Sequence, residues 1–343
     1  MDRDDAVLAA DGDLVVRRLT GPDDLAAAVA FLDAAEGSAG APLVDEAERH
    51  RLEAAADERP DAARPWVPLV AERAGRRVGY AGAVLPTPDE PEAGGHPADE
   101  AAAHADVAVH RDQEGSERVL ELLLTVVTEV ARQGSAASVQ AWLRAATDDE
   151  IAVAAAAGYR VERRLAVLGR PLTAGIDPDP PPDGVTVRAY LPDADDEAVA
   201  GVLAAAYAGT PEAGWDLAAF RARRELDWFR PDDLLVAEGP DGRLLGLHWL
   251  KRRGARVGEV YNLAIHPAGQ GRGLGEVLLT AGLAHLAATG CDEVLLWVDR
   301  ANEPAVRLYT SRGFGPRWED VALARSTDPG GSVHEPSGPR PSR

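Results

Sequence analysis

The chain has 343 residues, which at roughly 100–200 residues per domain reads as two domains. Hydrophobic residues make up 45% and charged residues 27%, close to soluble globular averages, so wholesale disorder is excluded. A formal charge of −21 repels phosphate backbones and anionic membrane surfaces, so neither nucleic acid nor membrane is expected as a partner.

The first half opens with a strand over residues 14–19, an acidic turn and an alanine-rich helix. Residues 69–72, reading Leu-Val-Ala-Glu, and residues 78–85 make a hairpin. Residues 86–100, rich in Pro, Gly and acid, read as a surface loop. A strand ending at Val109-His110 then runs into a loop and helix. Residues 139–143 form a strand carrying Trp142, and a helix leads to Gly158-Tyr159, a helix cap followed by a buried aromatic.

Prolines at 178, 180, 181 and 182 forbid a regular helix or ladder. They place the boundary between a first domain of residues 1–175 and a second of 185–326, joined by a 176–184 linker and followed by a disordered tail, 327–343.

The second half repeats the first. Strands are expected over 185–191, 235–238, 244–250, 263–266 and 294–298, the last carrying Trp297, with Gly313-Phe314 closing the pattern. Two copies of a mixed α/β unit, of the α+β mixed-sheet kind, are the expected architecture. The single cysteine, Cys291, cannot form an internal disulfide and reads as a small buried hydrophobe. The start lacks the basic and apolar regions of a secretory signal, and the longest apolar runs fall far short of the ~20 residues that span a bilayer. A cytoplasmic monomer is expected. The only lysine is Lys251.

The chemistry is concentrated in His266-Pro-Ala-Gly-Gln270-Gly271-Arg272-Gly273-Leu274-Gly275-Glu276, between a strand and an amphipathic helix. Glycines admit a ligand close to the backbone, and successive N–H groups with the helix dipole make an anion site. The dinucleotide fingerprint fails on spacing, since Leu274 and Glu276 stand where glycines are needed. A P-loop fails because no Gly-Lys-Ser or Gly-Lys-Thr occurs. A plain flexible glycine turn is the structural alternative. The pattern that fits is Q-x-x-G-x-G at Gln270, Gly273 and Gly275, which resembles the pyrophosphate loop of the GCN5-related N-acetyltransferases (GNAT).

Leu263-Ala264-Ile265 resembles the bulged strand of that family, whose backbone N–H polarises the thioester carbonyl of acetyl-CoA. Asn302-Glu303-Pro304-Ala305-Val306-Arg307, followed by Tyr309 and Gly313-Phe314, resembles the family's N-x-x-A-x-x-x-Y-x-x-x-G-F segment. The resemblance implies two tandem GNAT folds, acetyl-CoA as co-substrate, and no metal. These three segments are the implied coenzyme contacts.

A closer resemblance is to the mycothiol synthases, tandem acetyltransferases that acetylate the cysteinyl amine of cysteinyl-glucosaminyl-inositol. It rests on Gly214-Trp215, Trp228-Phe229-Arg230-Pro231, His248-Trp249-Leu250-Lys251, Gly258-Glu259-Val260-Tyr261 and the Gln270 loop. The resemblance implies Glu259 as the base, Tyr309 as the acid for the departing thiolate, and Glu36, Glu212, Lys251, Glu259 and Trp297 as substrate contacts. Trp297 replaces the family's usual tyrosine, which keeps an aromatic wall and removes one hydroxyl. A second acceptor amine, or a non-catalytic acetyl-CoA sensor, stays open as an alternative.

The first half departs from this pattern. Aligning His110 with His266 sets Glu114 opposite Gln270, Glu117 opposite Gly273, Val119 opposite Gly275 and Ala103 opposite Glu259. Aligning Gly158 with Gly313 sets Ala154 opposite Tyr309. The first domain is therefore expected to be a degenerate, non-catalytic copy, with Glu36 reaching the substrate across the domain interface.

Overall fold

The computed structural model describes residues 7–59, 65–87, 102–172, 176–210 and 212–328. Most of the expected 86–100 loop and of the tail lies outside them. The chain divides into two compact units. Among the described residues, the first holds those up to Leu165 and from Trp318 onward, and the second Ala166–Arg317.

In the first unit the strand order is β1 (Val7–Asp11), β2 (Leu14–Arg18), β3 (Trp66–Arg73), β4 (Arg76–Val84), β5 (Ala102–Val109), β6 (Ser138–Leu143) and β13 (Gly315–Ser326). All neighbours are antiparallel except β5 and β6. Helices α1 (Pro22–Ala39) and α2 (Glu46–Ala56) enclose one apolar cluster around Leu32, Leu52 and Tyr80. Helix α3 (Ser116–Gln133) covers another around Leu120, Leu123 and Val127, beside α4 (Asp148–Ala156). The α4 start is fixed by a capping box between Thr147 and Glu150.

The second unit repeats the plan in the order β7 (Arg160–Pro171), β12 (Glu293–Asp299), β11 (Val257–Ile265), β10 (Leu244–Arg253), β9 (Leu234–Glu238) and β8 (Thr186–Ala189). Its helices are α5 (Asp196–Ala206), α6 (Leu217–Arg224), α7 (Leu274–Ala288) and α8 (Glu303–Ser311). The last strand of each half is divided between the units. Residues Val321–Ser326 of β13 pair with β6 of the first unit, whereas Ala166 onward counts with the second. Residues 176–182 carry no regular structure.

The duplication extends to individual ion pairs. Arg17 holds Asp24 and Glu72, each at 2.6 Å. Arg188 holds Asp195 and Glu238 at 2.6 and 2.7 Å. In both units the partners are an aspartate seven residues on and the glutamate that ends Leu-Val-Ala-Glu.

Strand β10 is buried almost throughout. Its even side faces α7, where His248, fully buried, donates from Nδ1 to the Leu278 carbonyl at 2.7 Å. Gly282 is required opposite, since a Cβ there would stand 2.2 Å from His248 Nδ1. Burial lowers the His248 pKa from 6.5 to about 4. Between those values the unfolded imidazole binds a proton that the folded one excludes, so its contribution to stability is intact above pH 6.5 and declines towards pH 4. The loss amounts to about 3 kcal/mol. In chemical denaturation at pH 7 and 4.5, His248→Gln is expected to show a smaller drop than the parent chain; an equal drop would contradict this.

Cys291 is buried, and burial raises its thiol pKa, in keeping with a core residue. Among the described residues no helix is long and apolar enough to cross a membrane.

Candidate active site

The site is built where two neighbouring strands stop pairing. The parallel β11–β12 ladder ends at Glu259↔Leu295, while β11 remains paired with β10 up to Gly246↔Ile265. Residues 260–265 therefore present an edge on the β12 side. Backbone N–H groups alternate in direction along a strand. His266 N–H donates to the Leu245 carbonyl on the β10 side, so those of Ile265 and Leu263 face the opening. These are the donors expected from Leu263-Ala264-Ile265.

The bulge lies just upstream of that segment. Register shifts between Trp249↔Asn262 and Leu250↔Val260, leaving Tyr261 as the extra residue. Tyr261 and Asn262 are thereby brought to the face that carries Trp249, Lys251 and Arg253.

The extra residue also changes the correspondence with the first unit, where β4 and β5 pair without a shift. There His104 pairs with Val84 and Gln140, as Glu259 pairs with Lys251 and Leu295. His104, rather than the expected Ala103, occupies the place of Glu259. The first unit's ladder also stays closed further, to Asp106↔Trp142, leaving only residues 107–109 as open edge. The Ala154–Tyr309 correspondence holds, because Tyr159 N–H donates to Ala154 O as Phe314 N–H donates to Tyr309 O.

At Glu259 three of the side chains expected to meet substrate, Glu259, Lys251 and Trp297, come together. Glu259 and Lys251 are adjacent in register and only 7% and 5% exposed. The Lys251 ammonium stands 4.6 Å from the Trp228 ring centre and 6.0 Å from that of Tyr261. Arg253, the next residue on the same face of β10, donates from Nε to Glu259 Oε2 at 2.6 Å. Its guanidinium carbon lies 4.8 Å from the Trp297 ring centre. Arg253, Trp228 and Tyr261 were absent from the expected contacts; the period-2 alternation Trp249, Lys251, Arg253 is the signal that marks Arg253.

Tyr309, on α8, is 8% exposed and packs edgewise on Phe314 with ring centres 5.7 Å apart. Burial pushes its phenol up to about 12, so it holds its proton across the physiological range. A second phenol, Tyr207, donates to Asn262 Oδ1 at 3.0 Å. Burial raises its pKa above the ordinary tyrosine value, helped by Tyr309, Glu212 and Tyr261.

Glu36 stands in the first unit, on α1. Its carboxylate accepts the Leu43 N–H at 2.9 Å and the Arg49 guanidinium, so it is oriented by its own unit.

The glycine loop follows β11. Residues 267–269 form one 3₁₀ turn, after which Gly271 and Gly273 adopt φ of +73° and +74°. Gly273 is the N-cap of α7 and no side chain caps it. The first-turn N–H groups, beginning with Leu274 and Gly275, have no intrahelical acceptor. With Gln270, Gly271, Arg272 and Gly273 exposed, the loop offers outward donors at the positive end of a helix. Glu276, which would oppose an anion, is paired with Arg312 at 2.7 Å.

In the first unit α3 starts six residues after His110, against eight from His266 to the start of α7. The ungapped alignment of the two loops is therefore corrected. Gly115 at φ +73° is the counterpart of Gly273, and Glu117 falls at the level of Gly275. The cradle there is shortened by two residues, and its N-cap glycine is retained.

In the 302–307 segment, Asn302 caps α8 by accepting the Ala305 N–H at 3.2 Å. Glu303 and Arg307 form an exposed pair at 2.9 Å. Pro304 fits the first helical turn, where no backbone donor is needed. Ala305 and Val306 pack against the core that contains Tyr309.

Comparison with known proteins agrees with this geometry. The Acetyltransferase (GNAT) family model matches residues 201–314. A solved GCN5-related N-acetyltransferase from Sphaerobacter thermophilus covers 95% of this chain and 99% of its own, with a TM-score of 0.71 at 18% identity. A tandem GNAT protein from the clavulanic acid biosynthesis pathway covers 93% and 100%, with a TM-score of 0.66 at 18% identity. These two establish the fold, a tandem pair of GNAT units.

Among sequence relatives, a mycothiol acetyltransferase of Salinispora tropica is 47% identical over 185 residues, 52% of this chain and 60% of that one. The chain thus spans three fifths of the length of its Salinispora relatives. The mycothiol acetyltransferase of Tsukamurella paurometabola is 40% identical over 259 residues, 72% of this chain and 83% of its own. Identity sustained over that length, on a tandem fold whose second unit keeps the glycine loop and the open strand edge, means that the chain belongs to the mycothiol acetyltransferase family.

Proposed function

We propose that the second unit transfers the acetyl group of acetyl-CoA to the cysteinyl amine of cysteinyl-glucosaminyl-inositol, giving mycothiol and CoA. The observation that carries this reading is the position of Glu259, a buried carboxylate where the β11–β12 ladder opens. A base, oriented amide donors and an anion-binding helix start follow one another along this stretch of chain.

In this mechanism the glycine loop and the α7 N-terminus hold the pyrophosphate of the coenzyme through backbone N–H groups. The N–H groups of Leu263 and Ile265 face the thioester and stabilise negative charge on its oxygen. An α-ammonium with a pKa of about 7.7–8.0 is mostly protonated at neutral pH and cannot attack a carbonyl. Glu259 takes that proton, directly or through one water. The amine nitrogen then bonds to the carbonyl carbon, the C–S bond breaks, and the departing thiolate takes a proton from Tyr309. The second proton shed by the nitrogen restores the Tyr309 phenol, while Glu259 returns its own proton to solvent. Lys251 and Glu212 face the neutral polyol with one donor and one acceptor group, and Trp297 supplies an apolar wall.

Tyr309→Phe is expected to lower kcat by about 10²-fold with acetyl-CoA affinity unchanged, as read by single-turnover kinetics beside calorimetry. An unaltered kcat would remove Tyr309 as the acid.

The first unit is read as non-catalytic. His104 in the place of Glu259, Ala154 in the place of Tyr309, a ladder closed to Asp106 and a shortened loop all support that reading. The test of the whole proposal is release of CoA thiol with a panel of amines. Turnover is expected with the cysteinyl sugar, and selective turnover of a different amine would replace the proposed acceptor.

A further inference from the structure

Arg253 donates a hydrogen bond to the Glu259 carboxylate and also lies over Trp297, the aromatic wall of the site. It closes the β10–β11 hairpin, paired with Val257 across the three-residue loop 254–256. Gly254 in that loop adopts φ +66°, a conformation that glycine takes at little cost. The tight turn fixes Arg253 on the face of Lys251, two residues along. From there Nε–H reaches Glu259 Oε2 at 2.6 Å while the guanidinium carbon lies over the Trp297 ring, 4.8 Å from its centre. About a third of the Arg253 side chain is exposed, whereas the Glu259 side chain is 9% exposed.

We propose that Arg253 is a positioning residue for the acetyl transfer: it holds the Glu259 carboxylate by one oxygen and Trp297 by its ring, so that the other oxygen is presented to the acceptor amine. This rests on the reading of Glu259 as the base.

The geometry argues for a specific function of the guanidinium. A buried carboxylate on a strand has rotamer freedom that a single strong donor removes. Arginine can donate from Nε in its plane and stack through its face at the same time, which a lysine ammonium cannot do. Lys251 and Arg253 also place two cations about one carboxylate. A bound ammonium is thereby disfavoured relative to the free amine, and the free amine is the form that attacks. As a consequence, selectivity for an uncharged amine nitrogen at the reaction centre is set by the hairpin end of β10.

The test is a double-mutant cycle on the full chain with Arg253→Ala, Glu259→Gln and the double variant, using acetyl-CoA and the cysteinyl sugar. Arg253→Ala is expected to lower kcat by about 10- to 100-fold, to leave acetyl-CoA affinity within twofold, and to recover part of kcat when guanidinium is added at millimolar concentration. In the Glu259→Gln background the same replacement is expected to change kcat less than twofold, because the carboxylate it positions is gone. Equal fold losses in both backgrounds, or no loss in the first, would overturn the proposal. Arg253→Lys, which keeps the charge, is expected to fall between Arg and Ala; full activity in that variant would count against the stacking half of the argument. A parent chain that fails to turn over the cysteinyl sugar would instead refute the proposed function, which separates the two failures.

Discussion

Glu259→Gln is expected to lower kcat by about 10²- to 10⁴-fold, the usual range for removing a positioned general base, while calorimetric affinity for acetyl-CoA stays within a factor of two. The side chain is nearly isosteric, keeps an oxygen that can accept from Arg253 Nε, and so preserves the packing at the end of the β11–β12 ladder. What it loses is the ability to take the proton of the acceptor ammonium. Raising the pH well above the amine pKa should therefore recover part of the loss, because the free amine then enters without assistance. A variant with full activity at pH 7, or one whose deficit is equally large at pH 9, would remove Glu259 from the role of base.

Gly273→Glu is expected to weaken acetyl-CoA binding by about 10²-fold or more, measured by calorimetry. Two effects act at this N-cap. Its φ of +74° costs any L side chain about 1–2 kcal/mol and drives the loop from the conformation that aims its N–H groups outward. A carboxylate some 5 Å from a pyrophosphate adds repulsion of about 3 kcal/mol at an effective dielectric near 40. Gly273→Ala isolates the first effect and should weaken binding several-fold only. A Cβ at Gly273 meets nothing within 4 Å, so steric collision does not confuse the comparison. Unchanged affinity in the glutamate variant would show that the coenzyme is held elsewhere.

Much of this architecture is legible in the chain because it is repeated. Two Leu-Val-Ala-Glu strands, two histidines after an aliphatic strand and two Gly-aromatic pairs after a helix identify the units, and the ion pairs of Arg17 and Arg188 preserve the same spacing in three dimensions. The glycine loop is readable because positive φ and close approach restrict the residue type. Other features leave weaker traces. A one-residue bulge at Tyr261 does not break the local pattern of apolar and polar residues, yet it moves every later residue by one and turns Ala103 into His104 as the counterpart of Glu259. Likewise, a loop two residues shorter shifts the helix start, so that Gly115 matches Gly273.

The terminal strands read as strands whichever unit they join, so the contribution of β13 to the first unit has no local signature. Arg253 resembles an ordinary basic hairpin end in sequence. Its meaning comes from the register that places it beside Lys251 and across from the carboxylate. Lys251 itself is better defined by the structure: the only lysine of the chain is buried against Trp228 and adjacent in register to Glu259, an environment suited to a compact cation rather than to a planar fork.

The central claim is acetyl transfer to one particular nitrogen. Its most direct test is incubation with acetyl-labelled acetyl-CoA and cysteinyl-glucosaminyl-inositol, followed by tandem mass spectrometry of the sugar product. The label is predicted on the cysteinyl nitrogen, in one-to-one ratio with released CoA and absent when the cysteinyl group is removed from the acceptor. Label on a sugar hydroxyl, or CoA release that proceeds equally without the cysteinyl group, would contradict the account.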